Sequence, residues 1–447
     1  MMGMEERGDY EHIVVGSGPG GAAVARELAL RGRKVLIVEY GPRLDKTGFL
    51  RTARKAYLGR DKRPLCSDGG VWISRARVLG GSSYVAMGNA VPPPARVLRE
   101  WGVDLRGEIA EVQEDMHVTL MPAERVGPGT RRINEAASRL GWEMKPTPKC
   151  VDFSRCRGCG LCMFGCPTGA KWTSLRYIDE AIEHGAELLL NTEVRRVLHA
   201  NGKAVGVAAR GNGREWQIRS ERIVLSAGAL ATPLILKRSG IENAGKGLAN
   251  DVFQTTYGMT DDLGMQGEII LATYLEATIE GRELFPAPYM YIPFLIQRDR
   301  EGGYPKNATL LAQARMMLRS QGIDARHIIA MMTKIRDERT GEVRGDGSVH
   351  KVLTEKDRAK LEEAYQINRE ILITAGARPE TIFRSVYESG HPCCTAALGE
   401  VVDHHQQSEI HGLYVSDASV FPSPLGLPPI LTIAALSKRL ARHLLGA

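Results

Sequence analysis

The stretch from His12 to Glu39 limits what this chain can fold into more than any other. It opens with a short apolar run, His-Ile-Val-Val (12–15), which lacks the polar alternation of a half-exposed strand and so reads as a buried parallel strand. The turn that follows, Gly16-Ser17-Gly18-Pro19-Gly20-Gly21, is a G-x-G-x-x-G. Val24, Ala25 and Leu28 then recur at helical spacing, and a second apolar strand at 34–38 ends on Glu39. Strand, glycine turn, helix, strand and terminal acid in this order make a β-α-β unit for a dinucleotide. Gly16 serves the tight turn, Gly18 lets a pyrophosphate reach bare backbone, and Gly21 lets helix and strand pack closely. The helix start offers N–H groups and the positive dipole end to phosphate, while Glu39 can accept hydrogen bonds from a ribose.

At 447 residues the chain exceeds one hydrophobic core, so two interleaved domains are expected. The net charge of +7 is spread along the chain, with no basic tract interleaved with aromatics of the kind nucleic acid needs. No apolar run is long enough to cross a bilayer. The polar, acidic residues 1–9 lack the apolar core of a secretory signal, so cytoplasmic placement is expected. In that compartment eight cysteines argue for metal or redox use over structural disulfides.

The densest chemistry is Cys156-x2-Cys159-x2-Cys162-x3-Cys166-Pro167, preceded by Cys150. Three thiolates at two-residue gaps can wrap one face of a cubane, and Gly158, Gly160 and Gly165 leave backbone N–H groups free to approach the sulfides. The run is similar to the bacterial ferredoxin segment, so a [4Fe-4S] cluster on Cys156, Cys159, Cys162 and Cys166 is expected, with Cys150 the other candidate for fourth ligand. Zinc and plain reduced thiols are the competing readings, although zinc usually takes two separated C-x-x-C pairs.

Elsewhere, Gly80-Gly81-Ser82-Ser83 suits a loop pressed against a ligand, with bare backbone and two hydroxyls to donate. Helical spacing marks 105–118, 130–140 and 175–184. Strands at 187–190, 194–197, 204–209 and 222–226, closed by Ala227-Gly228 and a helix over 232–238, return the chain to the nucleotide fold. Residues 251–387 differ, with strands at 268–274 and 289–294, a hairpin at 341–347 and a helix over 356–374, which together predict an antiparallel sheet with helices. The last block holds His391-Pro392-Cys393-Cys394-Thr395, then a strand ending on Asp417-Ala418, then Pro428-Pro429 and Thr432 before a final helix. This is a second cofactor-facing edge. His391 is the candidate proton acceptor, because only an imidazole has an ordinary pKa close to neutral. Cys393 and Cys394 read as packing thiols, and His404 and His405 as part of a solvated hairpin.

Four blocks fall in the order of the glucose-methanol-choline (GMC) oxidoreductase family, which this chain resembles. They are Gly16 to Gly21 with Glu39-Tyr-Gly41, Arg77 to Ser83, Ser226 to Pro233 with Arg238 to Ile241, and His391 to Thr395 through Asp417 to Thr432. The resemblance implies an α/β plus α+β protein, with a Rossmann-like FAD-binding domain from 1–95, 186–250 and 395–447. A substrate domain on a mixed or antiparallel sheet would come from 96–185 and 251–394, carrying the cysteine segment at 150–171. It implies FAD contacts from Gly16, Gly18, Pro19, Gly20, Gly21, Glu39, Gly80, Gly81, Ser82, Ser83, Val194, Ala227, Gly228, Asp417, Ala418, Pro429 and Thr432. It also implies a small alcohol oxidised by hydride transfer to the flavin, with His391 taking the hydroxyl proton. A cluster would pass electrons to a quinone or redox protein in place of oxygen, making the enzyme an alcohol dehydrogenase. A cluster-fed flavin reductase and a non-catalytic electron-transfer subunit are the alternatives. Three departures stand out. Pro428 and Pro429 occupy the place where the family usually has a second His or Asn, so another group, from the substrate domain, is expected to complete the pair if His391 does not work alone. Ala86 replaces a frequent asparagine, with Asn89 nearby, and the chain is short for the family.

Overall fold

Five short parallel strands carry the nucleotide layer: His12–Val15, Val35–Val38, Glu187–Leu189, Ile223–Leu225 and Leu413–Val415. The computed structural model describes residues 5–45, 47–58, 65–211, 213–262, 264–279, 282–289 and 325–446. In space the strands run Leu413–Val415, Ile223–Leu225, His12–Val15, Val35–Val38, Glu187–Leu189. The four that are not at the Glu187 edge are buried throughout, as strands covered on both faces must be. The chain leaves His12–Val15 toward one neighbour and returns on its other side. That reversal places the loops after the strands, 16–21, 39–41, 226–229 and 416–418, around one crevice at the carboxyl edge.

Helices Pro19–Ala29 and Ile430–Leu445 pack together over this sheet, with Leu175–Glu183 against the first and Arg106–Asp115 against the second. Those last two helices lie in the segment expected to build the substrate domain. The amphipathic face of Leu175–Glu183, with Tyr177, Ile178 and Ala181 buried, finds its partner on the nucleotide layer instead. A separate four-stranded sheet, Glu5–Asp9, Arg214–Arg219, Lys203–Gly211 and Thr192–Ala200, contains the strands expected at 194–197 and 204–209 as an antiparallel pair.

The second layer is a mostly antiparallel sheet in the order Ala277–Ile279, Arg282–Pro288, Ile328–Ile335, Phe253–Met259, Glu388–Ser389, Trp72–Ile73, Leu65–Cys66. Its last two strands come from the segment assigned to the FAD domain, where they cap an otherwise open edge. Helix Glu355–Thr374 backs one face, started by a Thr354–Asp357 capping box and tied to the sheet by Asn368 Nδ2 donating to Thr333 Oγ1 at 2.9 Å. The register sets Phe285, Lys334, Phe253 and Glu388 side by side across four strands, so their side chains share a face. The strand expected over 268–274 shrinks to Thr273–Tyr274. Glu268 instead accepts from Gly129 N–H at 2.6 Å and Thr130 N–H at 3.0 Å, satisfying the free donors at the start of helix Pro128–Arg139. The expected strand over 289–294 falls, after Tyr289, outside the described residues.

Candidate active site

The glycine loop is clasped by the strand ends around it. Gly16 has φ +99°, and a Cβ there would lie 2.3 Å from Ser226 O, so both its conformation and its neighbour exclude a side chain. A Cβ on Gly20 would lie 1.8 Å from Ser416 O. One on Gly21 would meet Gly16 O at 2.1 Å, which is the close helix-to-strand packing expected there. Gly18 is different: a Cβ there would meet nothing within 4 Å, so this backbone faces open space. Pro19 is the first residue of the helix, whose start has no side-chain cap.

Several side chains expected to reach a ligand are spent on holding these loops together. Glu39 is buried and accepts from Ser17 N–H at 3.0 Å, Ser17 Oγ at 2.6 Å and Gly41 N–H at 2.6 Å. Burial raises its pKa against the pull of those donors. Ser17 Oγ in turn accepts from Gly80 N–H at 2.9 Å, which docks the second glycine segment on the first. Gly80 and Gly81 both have positive φ, and a Cβ on Gly81 would lie 2.8 Å from Gly18 Cα. Ser83 Oγ donates to Gly80 O at 2.5 Å and accepts from Ser174 N–H at 3.0 Å, while the exposed Ser82 accepts from Ala76 N–H at 3.1 Å. These hydroxyls therefore brace the loop. Asp417 does the same on the far side: its carboxylate accepts from Gly228 N–H at 2.8 Å, Thr232 Oγ1 at 2.6 Å, Ser419 N–H at 2.8 Å and the Ser419 hydroxyl. Ala227 N–H donates to Thr232 Oγ1 at 3.1 Å, and Ala418 O accepts from Cys394 N–H at 3.1 Å, linking this edge to the His391 segment. Val194 is buried two residues beyond Thr192, whose N–H donates to Glu39 O at 3.0 Å. Pro429 precedes the last helix, and Thr432 Oγ1 is buried without a partner among the described residues.

His391 is brought to a charged group that the sequence did not single out. Its Nδ1 lies 2.9 Å from Lys334 Nζ and 3.5 Å from Asp251 Oδ2. Lys334 comes from the substrate sheet and lies over the Phe253 ring at 5.5 Å. Asp251 is held at φ +47° and accepts from Gly426 N–H at 2.7 Å. Burial, then the Lys334 cation, holds the His391 pKa well below the usual imidazole value. Cys393 and Cys394 are buried packing thiols, Sγ to Sγ 3.5 Å.

The cysteine run does not assemble as expected. Among the described residues, which include all four of its thiols, no group of three or more His, Cys, Asp or Glu side chains is gathered closely enough to hold a metal ion. The intervening Gly158, Gly160 and Gly165 all have positive φ, Cys159 is exposed, and Cys166 Sγ is hydrogen-bonded to Thr168 Oγ1 at 3.4 Å. Beneath them sit two buried lysines with no carboxylate partner among the described residues. Lys149 donates to Asn89 Oδ1 at 2.5 Å and Ile270 O at 2.8 Å, and Lys171 to Tyr84 O at 2.8 Å and Cys162 O at 2.9 Å. Asn89 is thereby committed to Lys149. The ligand set of a [4Fe-4S] cluster is not assembled among the described residues.

The GMC oxidoreductase N-terminal profile matches residues 10–253 and its C-terminal counterpart residues 312–437, which takes in most of the chain. The chain belongs to the GMC oxidoreductase family. Among its relatives, an uncharacterized protein of Methanocaldococcus jannaschii is 28% identical, the match covering 98% of this chain and all of that one. A long-chain-alcohol oxidase of Arabidopsis thaliana is 24% identical, covering 99% of this chain and 70% of its own. The fold matches crystal structures of pyridoxine 4-oxidase from Mesorbium loti (TM-score 0.70, 16% identity, 97% and 99% of the two chains) and of formate oxidase (0.74, 14%, 100% and 99%).

GMC oxidoreductases are flavin-dependent and act on CH–OH groups, and the crevice fits FAD on two observations. Gly18 leaves bare backbone facing open space at an uncapped helix start. Two buried hydroxyls have no partner among the described residues: Ser226 Oγ, in the loop 226–229 at that crevice, and Thr432 Oγ1, in the first turn of the helix that packs on Pro19–Ala29. No helix among the described residues is long and apolar enough to cross a membrane.

Proposed function

We propose that this GMC oxidoreductase oxidises a small alcohol, with FAD held between the glycine loop and the Asp417 edge and with His391 taking the hydroxyl proton. Gly16, Gly18, Pro19, Gly20, Gly21, Glu39, Gly80, Gly81, Ser82 and Ser83 would hold the nucleotide half. Val194, Ala227, Gly228, Asp417, Ala418, Pro429 and Thr432 would line the rest, through backbone where the side chain is already engaged. Bound FAD supplies a two-electron acceptor for the carbinol hydrogen. The protein positions the carbinol, excludes water and removes the proton, because deprotonating the hydroxyl raises electron density on carbon and eases hydride departure.

The observation that carries this reading is His391 itself. It lies in the segment tied to Ala418, its Nδ1 is engaged by Lys334, and Nε2 has no hydrogen-bond partner among the described residues. Anaerobic mixing of the flavin-loaded protein with primary alcohols tests it: bleaching of the oxidised flavin band is expected, and its loss by about a hundredfold or more in His391→Gln. No bleaching with any alcohol would overturn it.

The acceptor is decided with the same preparations. Oxygen uptake with peroxide formed at the full rate makes the enzyme an oxidase, as the relatives' names support. Turnover confined to one-electron acceptors, with iron and labile sulfide in the protein, makes it the cluster-bearing dehydrogenase that the cysteine spacing supports.

A further inference from the structure

The proton inventory around His391 decides which form of the imidazole can serve as a base. A neutral imidazole carries one ring proton. When Lys334 is an ammonium it donates to Nδ1 across 2.9 Å, so the ring proton sits on Nε2 and the nitrogen left for a substrate is a donor. When Lys334 is a neutral amine it can accept from Nδ1–H, and Nε2 keeps its lone pair. Asp251, 3.5 Å from Nδ1, favours the same Nδ1–H form.

The surroundings make that switch accessible. Lys334 is 4% exposed in a strand, Ile328–Ile335, that is buried along its whole length. Burial lowers its pKa, with attraction to Asp251 and Asp337 opposing. Burial raises that of Asp251, with Lys334 and Arg336 opposing. Of the other charges facing Lys334, Asp337 is paired to Lys351, and Glu388 lies on the same face beyond Phe253.

We propose that Lys334 and His391 act as one base: as Nε2 takes the substrate hydroxyl proton, the Nδ1 proton passes to Lys334 Nζ. The inference rests on the alcohol oxidation proposed above. The substrate O–H and Nδ1–H bonds break, the Nε2–H and Nζ–H bonds form, and the carbinol hydrogen leaves with its electron pair to the flavin. The ring stays neutral throughout, so no imidazolium forms beside the Lys334 cation. The charge ends on Lys334, facing Asp251.

The test follows the ring proton by nitrogen NMR in the flavin-loaded, histidine-labelled protein, with His391→Gln identifying the signals. In the wild type the proton should move from Nε2 to Nδ1 as pH rises through the ionisation of Lys334, and the rate of flavin reduction by alcohol should rise with it. In Lys334→Met the proton should stay on Nδ1, the acid limb of the rate should move to lower pH, and the plateau should fall about tenfold to a hundredfold. Lys334→Arg keeps the charge but cannot lose its proton, so it should hold the ring as a donor and reduce flavin more slowly than Lys334→Met at every pH. A merely structural cation predicts the reverse order. A wild-type ring proton that stays on Nδ1 at all pH values, or Lys334→Arg outperforming Lys334→Met, would overturn the proposal. If no alcohol reduces the wild-type flavin, the oxidation reading falls, and the Lys334-controlled ring proton is judged by NMR alone.

Discussion

Replacing Lys351 by methionine strands the carboxylate of Asp337 in the interior. The two form an ion pair with Nζ 2.6 Å from Oδ2 and neither side chain exposed. Asp337 also accepts from Asn250 N–H at 3.1 Å through each oxygen and from Val252 N–H at 3.4 Å, so it holds the segment that carries Asp251. Burial already raises the Asp337 pKa, and Lys351 is the main opposing influence. Without the cation the acid stays protonated in the folded protein. The loss is then bounded by the cost of protonating a carboxyl whose ordinary pKa is 3.8, about 1.4 kcal/mol per pH unit above it. That is about 4 kcal/mol at pH 7 and about 2 kcal/mol at pH 5, in line with the roughly 3–5 kcal/mol typical of a broken buried pair. Because burial already raises the wild-type value above 3.8, the variant's loss relative to the wild type vanishes below that raised value and grows as pH rises. Urea unfolding followed by circular dichroism at both pH values should show this. Lys351→Met combined with Asp337→Asn should recover most of the loss, since the amide oxygen still accepts and no charge is buried. Equal losses at the two pH values, or less than about 1 kcal/mol at pH 7, would refute the reasoning.

Gly18→Ala should fold with an unchanged unfolding midpoint when flavin-free, because its Cβ meets nothing within 4 Å, yet bind FAD at least about tenfold more weakly, as read by flavin absorbance per chain. Gly20→Ala, with its Cβ 1.8 Å from Ser416 O, should lose about 1–3 kcal/mol or more in the flavin-free protein by urea unfolding. Glu388, pushed by burial from 4.5 up to about 7, should cost the protein about 3 kcal/mol of stability between those pH values as pH rises. Glu388→Gln should flatten that dependence, and an unchanged profile would show that the carboxyl ionises freely.

The nucleotide layer was legible because its signals are local. A four-residue apolar strand, glycines at fixed offsets and a helical period are each read within about ten residues, and His12–Val15 and Pro19–Ala29 form as those periods dictate. The roles of the polar residues were not, because a hydroxyl beside a glycine loop looks the same whether it meets a ligand or the next loop. Ser17, Ser83 and Asp417 meet other loops, and the residue binding two glycine segments together is Ser17, the variable position of the motif. The cysteine spacing set how far apart the thiols lie along the chain. It did not set whether they gather into one group, and the buried Lys149 and Lys171 next to them are residues that no spacing rule weighs.

The partner of His391 lay beyond local reading for a different reason. Pro428 and Pro429 removed the expected donor, and the group that engages His391 sits 57 residues before it, on a strand two places from Glu388–Ser389 in the substrate sheet. One trace was present: Ile-Ile-Ala-Met-Met-Thr-Lys-Ile, residues 328–335, is an apolar strand with a single charged residue, and a lysine fully enclosed in such a strand must find a counter-charge or surrender its proton. Asp251 supplies the first and His391 a place for the second. The same burial that makes Lys334 expensive to keep charged therefore makes it useful beside an imidazole, because a cation that can neutralise at modest pH is one that can later accept a proton.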